Sequence, residues 1–432
     1  MDNPERVIVT PEIPFPRGVR DLLPNEALFR NELLNKIEGV FQLFGFLVID
    51  TPSFESIDVL RAKGGIGSDT KLIYELKDEK LGLRYDNTVS LARYINMHQE
   101  LPMPFKRYYI GKVWRREEPQ RLRYREITQA DADIMGGNSS MADSEVIAVA
   151  AVIIEGLGME YMVCLNDRQL MDSVLLKFGI DKKLLPDVMR ALDKLDKAGE
   201  TWVVQQLRGL GLDGAVTDQI IAFITMKGTS EEKLDYADKL LGNTDTTKGL
   251  RTTLDLIKNY NLRGDVTVSF TIVRGLDYYT GIVFEYKGKS DKATAIGGGG
   301  RYDSLIGTFG SKQIPAVGVS LGIDRILEML DFSSSIEYTY ANVFVACVNE
   351  KNYPYALRVA NALRANGIPT DVNIAPRNLS NQFSYAAAIK TKYVAIIGDV
   401  EEKDGKLKLR NLISGNETTV FIDEAIKTIK GE

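Results

Sequence analysis

The chain has 432 residues, and its 44% hydrophobic and 26% charged residues are ordinary values for soluble globular domains. This length predicts two or three domains, each with its own core. The formal net charge of −5 argues against nonspecific coating of DNA, although a local basic surface binds phosphate whatever the total charge. The two cysteines form no CxxC pair, which excludes a disulfide framework and a zinc knuckle. With no signal peptide or long apolar run, a cytoplasmic location is expected.

Apolar residues at helical spacing predict a helix over residues 24–44, which Gly45 ends, and the segment FLVIDTP predicts a strand up to Pro52. Such a helix and strand fit plain core structure, or a dimer surface. The glycine-rich loop at residues 63–68 offers backbone amides to a phosphate, but its spacing matches neither the dinucleotide fingerprint nor the P-loop.

The next helix is predicted to begin near Val89, after three good N-cap residues, Asp86, Asn87 and Thr88. Capping is one interpretation of these three; the other is that their polar groups receive an ammonium group. His98, the only histidine of the chain, follows this helix without a nucleophile motif, which predicts a surface or capping role. Chemistry must therefore rest on arginines, carboxylates, backbone amides or a metal.

Residues 105–136 are typical of a long β-hairpin with a charged loop. Between residues 106 and 126 there are eight basic and three acidic side chains, a local excess of +5. Alternation along the second strand is expected to place one set of polar side chains on a single face. That set is Arg123, Arg125, Gln129, Asp131 and Asp133. This pattern favours a site for phosphate at the arginine end and a small cationic or hydrogen-bonding group at the aspartate end over a solvated hairpin.

From residue 167 to about residue 262 the pattern is helical only, which predicts an all-α insertion. Alternation over residues 266–273 predicts a strand whose buried face ends at Arg274, and a guanidinium there needs an anionic partner. A second strand at residues 282–286 is expected to pair back with it.

Four consecutive glycines at residues 297–300 require close approach of a ligand or of a crossing strand, and the sequence leaves the two open. A strand of small residues then leads into a helix whose first turn holds Asp324 and Arg325, which suits an anion or a purine ring. After a linker at residues 331–339, alternating strands and helices predict a small α/β domain for binding.

Five motifs in this order resemble those of the histidyl-tRNA synthetases, a family of class II aminoacyl-tRNA synthetases. The helix, strand and Pro52 resemble motif 1, WRREEPQRLRYREITQADAD resembles motif 2, and GVSLGIDRIL resembles motif 3. The segments RGLDYYTG and GGGGRYD are similar to two motifs particular to the histidine enzymes.

The resemblance implies an α+β fold: a class II synthetase-type antiparallel sheet flanked by helices, an all-α insertion and a C-terminal α/β anticodon-binding-type domain. The implied domains are a first catalytic part at residues 1–166, the helical insertion at 167–261, a second catalytic part at 262–332 and the C-terminal domain at 338–432.

The resemblance implies ATP-dependent ligation of L-histidine to tRNA-His through a histidyl-adenylate, in a cytoplasmic homodimer that binds no membrane. The attacking carboxylate is already an anion, so the enzyme needs no histidine base and must stabilise charge on phosphate. By the resemblance, Arg274 bridges the substrate carboxylate and the α-phosphate, and Arg115 grips the α-phosphate. Arg123 and Arg325 hold the ATP tail and adenine. Mg²⁺ is implied on the pyrophosphate oxygens, with no protein ligand assigned.

For histidine, the resemblance implies an ammonium pocket and a set of imidazole contacts. The ammonium pocket is formed by Asp86, Thr88 and Gln129. The imidazole is contacted by Asp133 and Tyr279, with Tyr278 and Tyr302 also at the substrate.

In the motif 2 loop, Gln120 and Arg121 are the implied tRNA contacts, with Gln120 as reader of the extra 5′ guanosine of tRNA-His. Asp86 and Asp133 stand where many bacterial members carry Glu, which is more similar to the archaeal and eukaryotic branch.

Competing classes of protein leave different marks in a sequence. A regulatory relative that binds histidine and controls the ATP phosphoribosyltransferase of histidine biosynthesis usually lacks the C-terminal domain and the catalytic arginines, and this chain keeps both. RGLDYYTG argues against a class II synthetase for another amino acid. A class I synthetase is excluded because one histidine cannot supply the HIGH signature.

Overall fold

The computed structural model describes residues 14–62, 72–77, 79–120, 122–242, 244–273, 278–289, 295–310, 312–330, 339–375 and 377–431. The chain forms two compact units. Unit 1 comprises Met1–Arg20 and Leu33–Leu330, and unit 2 comprises Asp21–Glu32 and Asp331–Glu432. The glycine-rich loop, the predicted linker up to residue 338 and two predicted site residues, Arg121 and Arg274, lie outside the described residues.

An eight-stranded sheet organises unit 1, and its strand order is β1-β5-β6-β11-β10-β9-β7-β8. Its strands are β1 Leu47–Val48, β5 Phe105–Trp114, β6 Glu126–Met135, β7 Tyr161–Asp167, β8 Asp265–Val268, β9 Ile282–Gly288, β10 Ala295–Arg301 and β11 Ala316–Gly322. Neighbours are antiparallel except at the two edges, where β1 runs parallel to β5 and β8 runs parallel to β7. The predicted long hairpin is confirmed as β5 and β6.

A smaller sheet of order β2-β4-β3 accompanies the large one. Its strands are β2 Phe54–Ser56, β3 Tyr74–Glu75 and β4 Leu81–Leu83. The helices outside the helical segment are α1 Pro24–Leu43, α2 Ile57–Leu60, α3 Thr88–Met97, α4 Ser140–Gly156 and α12 Ile323–Met329. Helix α4 is an almost continuous apolar run and is buried along most of its length. The predicted strand FLVIDTP is only the two-residue β1 and ends well before Pro52.

Helices alone fill the described chain between β7 and β8. They are α5 Arg168–Lys177, α6 Leu185–Leu192, α7 Leu195–Ala198, α8 Glu200–Gly209, α9 Gly214–Ile224, α10 Ser230–Leu241 and α11 Asp245–Lys258. The predicted helical character of this segment is confirmed. Its status as a separate domain, like the whole predicted division of the chain, stays a prediction. None of the helices within the described ranges is both long and apolar enough for a membrane span.

The predicted strand at residues 266–273 is wrong beyond Val268. The Ile272 amide donates to the Ser269 carbonyl at 3.1 Å, which closes a turn. The Asn166 side chain then donates to the carbonyl of Ile272 at 2.9 Å and so holds that turn against β7. The expected pairing is also wrong, because β9 pairs with β7 and β10 while β8 lies on the far side of β7.

The four glycines lie in β10, between β9 and β11. A Cβ atom on Gly299 would overlap the Gly318 carbonyl, and one on Gly300 would lie 2.6 Å from the Ile282 carbonyl oxygen. Neighbouring strands therefore account for these two glycines.

Unit 2 contains a five-stranded sheet of order β13-β12-β14-β15-β16. Its strands are β12 Val343–Cys347, β13 Thr370–Val372, β14 Tyr393–Ile397, β15 Lys406–Asn411 and β16 Glu417–Phe421. Its helices are α13 Tyr353–Ala365, α14 Leu379–Ala388, α15 Asp399–Asp404 and α16 Ile422–Lys430. Alternate residues of β12 enter two separate cores, Val343 and Val345 on one face and Phe344 and Ala346 on the other. The α/β character predicted for this segment is confirmed.

Candidate active site

Three polar side chains of β6 form the floor of a buried polar cup. Gln129, Asp131 and Asp133 alternate along β6 and therefore project from one face of the sheet. Their partners across β11 are small residues, among them Gly318 opposite Asp133. A Cβ atom on Gly318 would overlap an Asp133 carboxylate oxygen. The small residues of β11 thus leave room for carboxylates inside the sheet's packed face.

Asp133 is held by two protein partners, Arg107 and Tyr302. Arg107 lies opposite it in the β5–β6 register, and Arg107 Nη2 and Asp133 Oδ2 are 2.6 Å apart, both side chains being buried. The Tyr302 hydroxyl donates to the other carboxylate oxygen. Burial raises the pKa of Asp133 to about 6, although the Arg107 charge opposes the shift. Arg107 Nη2 and Asp133 Oδ2 are close, but their alignment is not that of a hydrogen bond. Both atoms can therefore still form hydrogen bonds with a ligand.

The N-terminus of α3 supplies a second wall of the cup. Asp86 Oδ1 accepts from the Val89 amide at 3.0 Å, so the capping interpretation is confirmed for this oxygen. Burial raises the pKa of Asp86 to about 6. Asn87 Nδ2 donates to Asp131 Oδ2 at 2.7 Å and ties this wall to the floor. Thr88 forms a hydrogen bond with Tyr278.

Apart from the Arg107–Asp133 ion pair, four oxygen atoms of the cup are buried and have no hydrogen-bond partner among the described residues. They are Asp86 Oδ2, Asn87 Oδ1, Gln129 Oε1 and Asp131 Oδ1. A buried polar atom without a partner costs about 1–3 kcal/mol. Since all four are acceptors, the group that fits this cup is rich in N–H donors.

Three buried tyrosines line the cup beside Asp133. The rings of Tyr278 and Tyr279 lie 4.8 Å apart, and those of Tyr278 and Tyr302 lie 5.7 Å apart, edge to face. Burial raises the pKa of the Tyr278 and Tyr302 hydroxyls well above the usual value, so both stay protonated donors. The structure therefore brings every described residue predicted for histidine to one place.

Arg115, one of the predicted phosphate-binding arginines, lies beside the cup. Its Nε donates to the Tyr85 carbonyl at 3.0 Å, and its charge acts on Asp86 and Asp131. Arg325, in the first turn of α12, donates to the Ala295 carbonyl at 2.9 Å.

Arg123 and Arg125 precede the second strand of the hairpin, so the prediction that they belong to that strand is wrong. Strand β6 begins only at Glu126, because the Arg125 amide donates to the Gly18 carbonyl outside the β5–β6 ladder. Arg123 forms an ion pair with Glu117 at 2.6 Å and is 46% exposed. Its backbone forms a bridge with that of exposed Gln120, so the predicted tRNA contact Gln120 lies in this loop.

Sequence reasoning missed two contributors to the cup. Arg107 was counted only among the basic residues of the hairpin, although equal strand lengths around the loop place it opposite Asp133. Ser320 was seen only as a small residue, whereas its hydroxyl accepts from Gln129 Nε2 at 2.6 Å.

The sequence profile of the histidyl-tRNA synthetase family matches residues 18–326, and that of an anticodon binding domain matches residues 342–432. The chain belongs to the histidyl-tRNA synthetase family. As a member it is a class II aminoacyl-tRNA synthetase, a ligase that uses ATP as a substrate. The predicted family and fold class are thereby confirmed.

Individual relatives support this membership over nearly the whole chain. The histidine–tRNA ligases of Aeropyrum pernix and Korarchaeum cryptofilum are each 37% identical to it, covering 96% and 97% of this chain and 97% and 98% of theirs. A crystal structure of histidyl-tRNA synthetase from a Nostoc species matches with a TM-score of 0.84 and 29% identity, covering 97% of this chain and 99% of that one.

Proposed function

We propose that the chain activates L-histidine with ATP to form histidyl-adenylate and pyrophosphate, and then transfers the histidyl group to tRNA-His with release of AMP. The observation that carries this proposal is the set of four buried acceptor oxygens of the cup, on Asp86, Asn87, Gln129 and Asp131, that have no partner among the described residues. L-Histidine presents an ammonium group and an imidazole N–H, which are the donors that such a cup lacks.

The two parts of the amino acid find different surroundings in the cup. Asp86, Thr88 and Gln129 receive the ammonium group, and the open oxygens Asp86 Oδ2 and Gln129 Oε1 support this role. Asp133, Tyr279 and Tyr302 surround the imidazole, with Tyr278 packed behind them. An apolar isostere would leave these polar groups unpaired, which gives discrimination of about 1–3 kcal/mol per group.

The reaction itself requires positive charge around the α-phosphate. The substrate carboxylate attacks the α-phosphorus, and charge that develops on the phosphate oxygens is stabilised by Arg115 and by Arg274. Arg325 and Arg123 hold the adenine and the phosphate tail. Arg123 must first leave Glu117, with which it forms an ion pair at 2.6 Å. Gln120 and Arg121 contact the acceptor end of the tRNA.

Mg²⁺ accompanies ATP in this proposal. Among the residues that the structure describes, no group of three His, Cys, Asp or Glu side chains is arranged to hold a metal ion. We assign the pyrophosphate oxygens as its ligands and no protein ligand.

A homodimer in the cytoplasm is the expected assembly. The end of α1 and the edge strand β1 expose apolar side chains, with Leu43, Leu47 and Val48 exposed at 86%, 62% and 65%. An apolar edge strand with unpaired backbone groups invites a partner. We therefore assign this surface to the contact between two copies.

Histidine-dependent exchange of labelled pyrophosphate into ATP tests the proposed function. Purified protein with Mg²⁺ should catalyse exchange with L-histidine and not with other amino acids. Absence of exchange, together with retained histidine binding, would instead support the regulatory relative of ATP phosphoribosyltransferase.

A further inference from the structure

Asp131 lies in the middle of the cup floor, between Gln129 and Asp133, and no role has been given to it so far. Its side chain is 3% exposed. Asn87 donates to its Oδ2 at 2.7 Å, and Ser320, which lies opposite Asp131 in the β6–β11 register, turns its hydroxyl toward the carboxylate. The other oxygen, Oδ1, has no partner among the described residues.

A carboxylate accepts hydrogen bonds and donates none, so each neighbour must turn its donor toward Asp131. Asn87 turns its amide N–H groups inward, and its Oδ1 therefore points away from Asp131. Ser320 gives its hydroxyl proton, so its remaining lone pairs must accept. They accept from Gln129 Nε2 at 2.6 Å, which leaves Gln129 Oε1 as the open end of that side chain.

The result is a fixed orientation for two amides that would otherwise be free to turn over. Asn87 Oδ1 and Gln129 Oε1 are both buried and unpartnered, like Asp86 Oδ2. If either amide turned over, it would present an N–H donor to an ammonium group, which would be repulsive. Asp131 contacts both Asn87 and Ser320, and it therefore controls both orientations.

We propose that Asp131 is a positioning residue: by binding Asn87 and Ser320 it directs the carbonyl oxygens of Asn87 and Gln129 at the ammonium group of the bound amino acid. The proposal rests on the proposed function, because it takes L-histidine as the ligand. It adds Asn87 as an ammonium contact, and Asp131 as the residue that orients it, to the predicted set of histidine-binding residues.

Calorimetric titration with two ligands tests this role. One ligand is L-histidine, and the other is 3-(imidazol-4-yl)propanoate, which lacks only the ammonium group. In Asp131→Asn the new amide can donate, so both neighbouring orientations are released. The dissociation constant of the propanoate divided by that of L-histidine measures the contribution of the ammonium group. This ratio should fall by about tenfold or more relative to wild type, since a hydrogen bond to a charged group is lost. A ratio within about twofold of wild type would overturn the proposal, because general damage to the fold weakens both ligands alike.

Two further variants control for folding. Asp238→Asn makes the same change in a carboxylate that pairs with Arg251 in the helical segment, and its ratio should equal that of wild type. Ser320→Ala breaks only the link to Gln129 and should lower the ratio by a smaller factor, about threefold. If Asp131→Asn does not fold, Ser320→Ala decides, and an unchanged ratio there overturns the role of Asp131.

The wild-type titration separates this proposal from the proposed function. If wild-type protein does not bind L-histidine at all, the proposed function fails. If it binds L-histidine and the variants keep the wild-type ratio, only the role of Asp131 fails.

Discussion

The two ends of the β5–β6 hairpin hold their charged side chains in different ways. At the strand end, Arg107 and Asp133 pair inside the sheet, both almost inaccessible to solvent. At the loop end, Arg123 pairs with Glu117 while nearly half exposed. The strand end is therefore organised before any ligand arrives, whereas the loop end must exchange one anionic partner for another. Changes at the first should alter stability and histidine affinity, and changes at the second should alter only ATP affinity.

The largest difference is expected in stability. Arg107→Met removes one partner of a buried ion pair and leaves Asp133 uncompensated, which should lower the free energy of unfolding by about 3–5 kcal/mol. Arg123→Met, the matched change in the exposed pair, should lower it by about 1 kcal/mol or less. Urea unfolding of both variants measures the contrast. Equal losses would show that the two ends of the hairpin do not differ in the way described.

A methyl group at Gly318 should disturb the cup without touching the loop. The added Cβ atom would overlap a carboxylate oxygen of Asp133, so Gly318→Ala should raise the KM for histidine by about tenfold or more through displacement of that side chain. The KM for ATP should change little. Gly322→Ala is the matched control on the same strand, because its nearest contact would be an ordinary 3.5 Å. A histidine KM that is the same in both variants would refute the role of Gly318 in leaving room for the Asp133 carboxylate.

Histidine affinity should depend on pH through the cup. Burial raises the pKa of Asp86 to about 6, so this carboxyl is largely protonated below that pH and gains the charge that attracts an ammonium group only above it. Arg115 and Asp131 also act on it, in opposite directions. Affinity for L-histidine should therefore rise several-fold between about pH 5.5 and pH 7.

The ligand's own imidazole titrates in the same range, and Asp86→Asn corrects for it. Titrations of the variant across that range should show a shallower rise than wild type. Identical slopes would mean that Asp86 does not meet the ammonium group.

The smallest effect is expected in the loop. Glu117→Gln removes the charge that holds Arg123, so the guanidinium becomes available without an exchange of partners, and the KM for ATP should fall by about two- to threefold. Arg123→Met should raise it. Pyrophosphate exchange at varied ATP concentrations measures both. An unchanged ATP KM in the pair of variants would remove Arg123 from the ATP site.

Much of the fold followed from the sequence because its signals are local. Helix α1, the β5–β6 hairpin and the step from β11 into α12 each carry their pattern within one segment. The strand predicted beyond Val268 failed because Asn166, a residue far away in the chain, binds the carbonyls of that segment and turns it. Phe270 and Ile272 are still buried and Ser269 and Thr271 are partly exposed, as in a strand, although the segment forms a turn.

The sequence motifs predicted which residues lie in the candidate site, but they predicted the side-chain partners of those residues less well. Asp86, Gln129 and Asp133 come together in the cup because they lie on or beside regular elements whose direction alternation fixes. Arg123 was misplaced because the strand β6 begins only at Glu126, after a residue whose amide N–H donates a hydrogen bond to the Gly18 carbonyl. The pairing of Arg107 with Asp133 depends on strand register, which the sequence gives only when the loop length is known.

The central claim is that Asp133 meets the imidazole of histidine while the arginines serve ATP. Pyrophosphate exchange by Asp133→Ala, with histidine and ATP varied in turn, tests it most directly. The KM for histidine should rise by about ten- to a hundredfold, as expected for the loss of a buried charged partner, while the KM for ATP stays within about twofold of wild type. A histidine KM equal to that of wild type would contradict the account.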